Sequence, residues 1–375
     1  MPLSPPALPG DALEAVDTPA LLLDLDSFEA NLDRLASRLA GTGVGLRPHA
    51  KTHKSATIAR MQIARGAVGA CVQKVGEAEA LVWAGVGDVL VSNEVWGEAK
   101  LRRLMGLTRL ARVLVCVDDA EQVWALEQAA EACGTRIEVL VEVDVGQGRC
   151  GATPGAAAAA LAERVAHSTR LGFAGLQAYH GRAQHLRRDS ERAEAIARAA
   201  EAVRATLGAL AERGLQAKIV SGGGTGAWAQ ELAAGVWTEL QLGSYALMDA
   251  DYARNLDAEG RPVQDFAQAL FVLATVISAP VPGRAVLDVG HKGVAIDSGL
   301  PLVADLAGVS VTGASDEHLT LAWDPSTVEG PKLGQKLRLI PGHCDPTVDR
   351  HDWFVAMRGG RVESCFPIDA RGAMR

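Results

Sequence analysis

RVLVCVDDAEQVWALEQAAEACGTRIEVLVEV, residues 112–143, passes from a β-branched apolar run through an Ala/Glu/Leu-rich stretch of helical period into a second apolar run. That order is the pattern of a βα unit, in which a helix joins two parallel strands and covers the sheet between them. The pattern repeats on both sides of this stretch. It predicts strands at 44–49, 69–73, 88–92, 112–117, 136–143, 172–179, 217–220 and 238–243, with helices such as 97–111, 120–134, 154–168 and 187–213 between them. Eight βα units in about 200 residues suit a closed (β/α)8 barrel, and an open doubly wound sheet with extra strands gives a similar reading.

After residue 265 the texture changes to runs such as LFVLATVIS, RAVLDVG, HLTLAW and KLRLIPG, punctuated by Gly, Pro and Asp. These predict a second, mainly β domain. The division is a barrel over 27–262 and a β domain over 263–375 that also takes residues 1–26. ALLLDLD (20–26) precedes the first βα unit and reads as a strand lent to that domain, and MPLSPPALPG (1–10) as a flexible or wrapping arm.

Composition narrows the function. The 375 residues are 48% hydrophobic, enough for a large core. The net charge of −8 carries no basic block of the kind that phosphate neutralisation needs, so nucleic acid is not an expected partner. No apolar run approaches the roughly 20 residues of a membrane span, and no signal pattern opens the chain. Six cysteines (Cys71, Cys116, Cys133, Cys150, Cys344, Cys365) are dispersed without CxxC spacing, which fits reduced thiols in a cytoplasm.

Reactive side chains fall just after the predicted strands: Lys51, Gln73, Asn93, Arg149, Tyr179, His185, Gly222 to Gly226, and Gly243 to Tyr245. In a βα barrel that end of the strands is the active-site rim. LRPHAKTHK sets Lys51 among Arg47, His49, His53 and Lys54, and a partly desolvated lysine held among cations has a lowered pKa suited to a Schiff base. A solvated basic loop is the plain alternative, and Lys54 competes for the role. SGGGTG (221–226) can aim successive backbone N–H groups at an anion, and GSYALMD (243–249) adds a second cup beside it. An imidazole is the usual side chain of a general base at neutral pH, which makes His180 and His185 candidates, although a loop histidine is as readily a surface group. Arg149 can hold a phenolate or carboxylate oxygen, or form a surface ion pair. In PGHCDPT (341–347) an extended backbone would put His343 and Asp345 on one face, a sparse pair of ligands suited to exchangeable Mg²⁺ or Mn²⁺, or a turn with an Asx-type hydrogen bond.

Together RPHAKTHK, VQKVGEAEA, VSNEV, VEVDVGQGRCG, LQAYHG, SGGGTG, TELQLGSYALMDADY and PGHCDPT resemble D-threonine aldolase and its relatives, from DTPALLLDLD at residue 17 almost to the C-terminus. The superfamily also holds 3-hydroxy-D-aspartate aldolase, D-threo-3-hydroxyaspartate dehydratase and D-serine dehydratase. The resemblance implies a fold-type III, alanine-racemase-like pyridoxal-phosphate enzyme, assembled as a homodimer and acting on a small D-3-hydroxy amino acid. By the matching motifs, Lys51 would carry the cofactor and His185 would be the base on the substrate hydroxyl. Gln73, Arg149 and Tyr179 would contact the cofactor, and Gly223, Gly224, Thr225, Gly243, Ser244 and Tyr245 its phosphate. His343 and Asp345 would hold the divalent metal. The dehydratases resemble one another in a histidine and cysteine at that spacing, so Asp345 points to an aldolase. DVGHKG (288–293) departs from the pattern at His291. A dehydratase and a non-catalytic cofactor carrier are the rival readings.

Overall fold

The structure is a computed structural model and describes residues 4–375. Eight strands form one parallel sheet: β2 (Gly45–Leu46), β3 (Ala70–Val72), β4 (Asp88–Glu94), β5 (Arg112–Val117), β6 (Ile137–Glu142), β7 (Leu171–Ala178), β8 (Ile219–Gly222) and β9 (Glu239–Leu240). Each strand pairs with the next, and β9 returns to β2. A parallel bridge between His49 and Cys71, with the Ala50 N–H donating to Cys71 O at 2.7 Å, joins β2 to β3 and closes the barrel. The helices are α1 (Leu25–Leu39), α2 (Ala56–Ile63), α3 (Val75–Trp83), α4 (Glu98–Leu107), α5 (Ala120–Cys133), α6 (Ala156–His167), α7 (Asp189–Glu212), α8 (Trp228–Ala234) and, in the second sheet's part of the chain, α9 (Cys344–Val348).

The stretch 112–143 shows why these residues build this shell. In β5, Val113, Val115 and Val117 pack outward against the helices, while Leu114 and Cys116 join Cys71, Leu90, Leu140 and Ala174 in a separate cluster inside the barrel. Asp119 then caps α5 by accepting the Glu121 N–H at 2.7 Å, and Gly134 ends the helix in the left-handed conformation. Below the apolar interior, buried Arg47 bridges Glu239 at 2.7 Å and Asp88 at 2.5 Å. Above it the inward positions turn polar, which makes a floor for the cavity described below.

All eight predicted strands are present, but the first and last are shorter than read. β2 and β9 keep two residues each as regular strand. Pro48 has no N–H to donate, and the ladder goes on only as single bonds, Arg47 N–H to Leu240 O and His49 N–H to Leu242 O.

The second sheet is made of β1 (Ala20–Asp24), β10 (Leu270–Val281), β11 (Arg284–Leu287), β12 (Leu302–Val303), β13 (Ser310–Ala314), β14 (Leu319–Ala322), β15 (Lys336–Ile340), β16 (Trp353–Arg358) and β17 (Arg361–Pro367). β1 lies inside it, antiparallel to β10 and parallel to β16, so ALLLD is lent to this sheet. The proline-rich arm wraps rather than floats from Ser4 onward. Asp17 N–H donates to Pro6 O and Gly10 N–H to Val362 O, both at 2.8 Å, and Ala7 is buried. Residues 1–3 of the arm lie outside the described residues.

Candidate active site

A cavity of about 740 Å³, measured to its open mouth, sits at the C-terminal end of the barrel strands. It gathers Lys51, Gln73, Arg149, Tyr179, Gly223, Gly224, Thr225, Gly243 and Ser244, which come from six different strand ends. His49 also lines it, as do Ser92, Gln177 and Gln241, inward positions that the sequence reading left aside. The alternation within the strands was the signal that could have found them.

Lys51 follows β2, and its Nζ lies 2.5 Å from Asp345 Oδ2. Burial alone would lower the lysine pKa, but Asp345 reverses this and holds the ammonium above its ordinary value. The expectation of a cation-depressed lysine is corrected here. Two of its basic sequence neighbours face elsewhere: Arg47 meets Glu239 and Asp88, and Lys54 meets Asp349 at 2.7 Å and Glu77 at 3.4 Å. Lys54 therefore does not compete for the cavity. Asp345 shows the reciprocal effect, since burial would raise its carboxyl while the charges of Lys51 and His343 hold it well below the usual range.

Gln73 Nε2 donates to Ser92 Oγ at 3.0 Å and lies 3.0 Å from His49 Nε2, and burial keeps His49 neutral. Asn93 braces the Gln73 carbonyl at 3.1 Å rather than lining the cavity. The Arg149 guanidinium lies 5.8 Å from the centre of the Tyr179 ring. Behind the glycine loop, buried Glu231 accepts the Gly224 N–H at 2.9 Å, and Gln184 Oε1 accepts those of Gly226 and Ala227. Burial pushes Glu231 up to about 7 against the hydrogen bonds it accepts from the Gly224 N–H and the Gln184 amide. Part of the loop's N–H set is thus spent on its own scaffold. A Cβ on Gly224 would sit 2.8 Å from Gln184, and one on Gly243 2.3 Å from Thr52 Oγ1, so close backbone approach explains these glycines.

Tyr245 does not face the cavity. Its hydroxyl meets Gln62 Nε2 at 3.2 Å in the core, and its N–H donates to Thr225 Oγ1 at 3.0 Å. His185 sits beside the mouth with Nδ1 2.6 Å from Asp251 Oδ2, and its ring lies 5.1 Å from that of Tyr252, which lines the cavity. His180 packs against Gly146 instead.

His343 and Asp345 do not share an extended segment. His343 caps α9, with Asp345 at its second residue and Pro346 at its third, where a missing N–H costs nothing. His343 Nδ1 lies 2.7 Å from Asp297 Oδ2, a partner 46 residues away in the chain. Cys344 is fully buried, and burial followed by Asp249 and Asp345 pushes its thiol well above the usual range. His291 is half-buried and pairs with Asp316 at 2.8 Å. Among the described residues, the three ligand-type side chains that converge within 4.8 Å are Glu94, Asp118 and Cys150. Asp118 there already accepts the Gly151 N–H at 2.8 Å and a Gln122 amide.

A closed parallel barrel with a lysine and two glycine cups at its mouth, joined to a second, mainly β part, defines the alanine-racemase-like class. Residues 23–251 match the alanine racemase N-terminal domain family, and residues 269–357 the serine dehydratase domain family. The chain is 47% identical to the D-threonine aldolase of Arthrobacter sp, covering 100% of this chain and 97% of that one. It is 43% identical to the 3-hydroxy-D-aspartate aldolase of Paracoccus denitrificans strain Pd 1222, covering 98% and 95%. The crystal structure of D-threonine aldolase from Filomicrobium marinum superposes with a TM-score of 0.96 at 48% identity, covering 100% of each chain. The chain belongs to the family of these aldolases, which are carbon–carbon lyases.

Proposed function

We propose that this protein cleaves D-3-hydroxy amino acids by a retro-aldol reaction, D-threonine giving glycine and acetaldehyde. The observation that carries the reading is the contact between Asp345 and Lys51, which brings an ionised carboxylate from the far part of the chain to the amine that lines the cavity.

The cavity fits pyridoxal phosphate. Thr52 Oγ1 is buried at its wall with no hydrogen-bond partner, and the glycine cups leave no room for a Cβ. Lys51 would hold the cofactor covalently, with Gln73, Arg149 and Tyr179 about its ring. Gly223, Gly224, Thr225, Gly243 and Ser244 would surround the phosphate, with Tyr245 tying Thr225 to the second cup through its backbone. The imidazole of His343 and the carboxylate of Asp345 suit a hard, exchangeable divalent ion, Mn²⁺ or Mg²⁺. When bound, the two groups supply an electron sink for the pair released at Cα and Lewis acidity at the substrate hydroxyl.

His185 takes the proton of the β-hydroxyl at Nε2, since Nδ1 is engaged by Asp251. As that O–H bond breaks, the C–O bond becomes a carbonyl and Cα–Cβ cleaves, so the aldehyde leaves and protonation of Cα completes glycine. Asp345 in place of cysteine supports the aldolase over the dehydratase. The homodimer implied by the resemblance is part of this proposal, and six free thiols support a reducing cytoplasm. Among the described residues no helix is long and apolar enough to cross a membrane.

The test is a product assay with pyridoxal phosphate and Mn²⁺, given D-threonine and D-3-hydroxyaspartate separately. Glycine with acetaldehyde or glyoxylate, lost on chelation, is the expected result and ranks the two substrates. Ammonia with a keto acid would move the protein to the dehydratases, and a cofactor carrier would turn over neither. His185→Ala should keep the cofactor's visible absorbance while cleavage falls by about 10²–10⁴-fold.

A further inference from the structure

The turn Asp249–Tyr252 reaches in two directions. Asp249 Oδ2 accepts the Cys344 N–H at 2.9 Å and Oδ1 the Tyr252 N–H at 3.0 Å, which ties the turn to the segment carrying His343 and Asp345. Asp251 faces the other way, with Oδ2 2.6 Å from His185 Nδ1 and Oδ1 accepting from Arg187 Nη2 at 2.5 Å. Arg187 Nη1 also donates to the Asp251 carbonyl at 2.8 Å, and Arg254 lies 3.8 Å from the same carboxylate. The Asp251 side chain is 8% exposed while that of His185 is 46% exposed. A half-exposed imidazole is thus fixed along one edge by a buried carboxylate and on one face by Tyr252.

We infer that Asp251 is a positioning residue for His185: it accepts the Nδ1–H proton, fixes the tautomer whose Nε2 lone pair is free, and aims that nitrogen at the substrate proton. The inference rests on the reading of His185 as the base. Burial alone would raise the Asp251 carboxyl, but hydrogen bonds from His185 and Arg187 bring it down to about 2, so it is an acceptor throughout the working pH range. An unbraced imidazole would divide between two tautomers and many ring orientations, and only one combination serves as base.

Two measurements on the full-length holoenzyme test this. In protein labelled with ¹⁵N-histidine, with His185 assigned by its loss in His185→Ala, the wild type should show Nδ1 protonated and Nε2 bare at high pH. Asp251→Ala should mix the tautomers. In steady-state assays, Asp251→Ala should lower kcat by about tenfold or more, bounded by the 10²–10⁴-fold of a positioned base, with KM changed less than about twofold. The isosteric Asp251→Asn keeps an acceptor and should recover part of that loss with the cofactor absorbance unchanged. Wild-type kcat in both Asp251 variants beside a crippled His185→Ala, or an Nε2–H tautomer in the wild type, would overturn the positioning role alone. Wild-type kcat in His185→Ala would overturn the base reading and the positioning role with it.

Discussion

Glu142 ends β6 with its carboxyl buried beside Glu94, whose Oε1 is buried without a hydrogen-bond partner. Two ionised carboxylates cannot bond to each other, so the arrangement is satisfied when Glu142 keeps its proton and donates it. Burial and then Glu94 push Glu142 up to about 9, with Arg149 opposing. The unfolded chain releases this proton near the ordinary value of 4.5 while the folded chain retains it, so Glu142 lowers stability as pH rises from there towards 9. Glu142→Gln keeps the donor and removes the titration. It should raise the urea midpoint at pH 8 by the equivalent of about 1 kcal/mol or more, with little gain at pH 4.5. A variant less stable than wild type at pH 8 would show that Glu142 is ionised and held by Arg149. Residues such as Lys51 were legible by type and position, whereas their electrostatic partners were not. Asp345 lies 294 residues from Lys51 and Asp251 lies 66 from His185, separations over which a sequence carries no pairing signal.

Strands were legible because β-branched runs alternate faces, and helices because their apolar period and caps are local. What local signals do not show is where two backbones must touch. Gly175 sits in β7 where a register shift leaves Ala174 bulged against β6, at φ +151°. A Cβ there would lie 1.8 Å from the Ile219 carbonyl oxygen in β8. Gly175→Ala should therefore force β7 and β8 apart and cost about 3 kcal/mol or more. Urea denaturation measures it, and a midpoint within error of wild type would mean that the bulge yields without loss. At α9 the sequence leaves two readings, an extended pair because His-x-Asp suggests alternation and a turn with an Asx-type hydrogen bond, and Asp-Pro-Thr is also a helix start. Only the tertiary contacts of His343 decide between the two.

The two sheets share more than a border. β1 enters the second sheet before the barrel begins, and Asp345 returns from that side to the barrel's lysine. The barrel sheet is made from one continuous stretch of chain, β2 to β9, whereas the second sheet takes β1 from before that stretch and β10 to β17 from after it. Calorimetry of the holoenzyme should give a single endotherm whose calorimetric and van't Hoff enthalpies agree. Two resolved endotherms would show that the sheets melt independently.

The lodging of β1 also sets the order in which the molecule can be finished. ALLLD leaves the ribosome early, while its partners Leu270–Leu273 and Phe354–Met357 are made only after the barrel has been synthesised. At about 5–20 residues per second, that strand waits tens of seconds with both edges unpaired. Nascent chains stalled before β10 should therefore expose a sticky apolar ribbon beside a nearly complete barrel, and chaperone capture should map to residues 20–24.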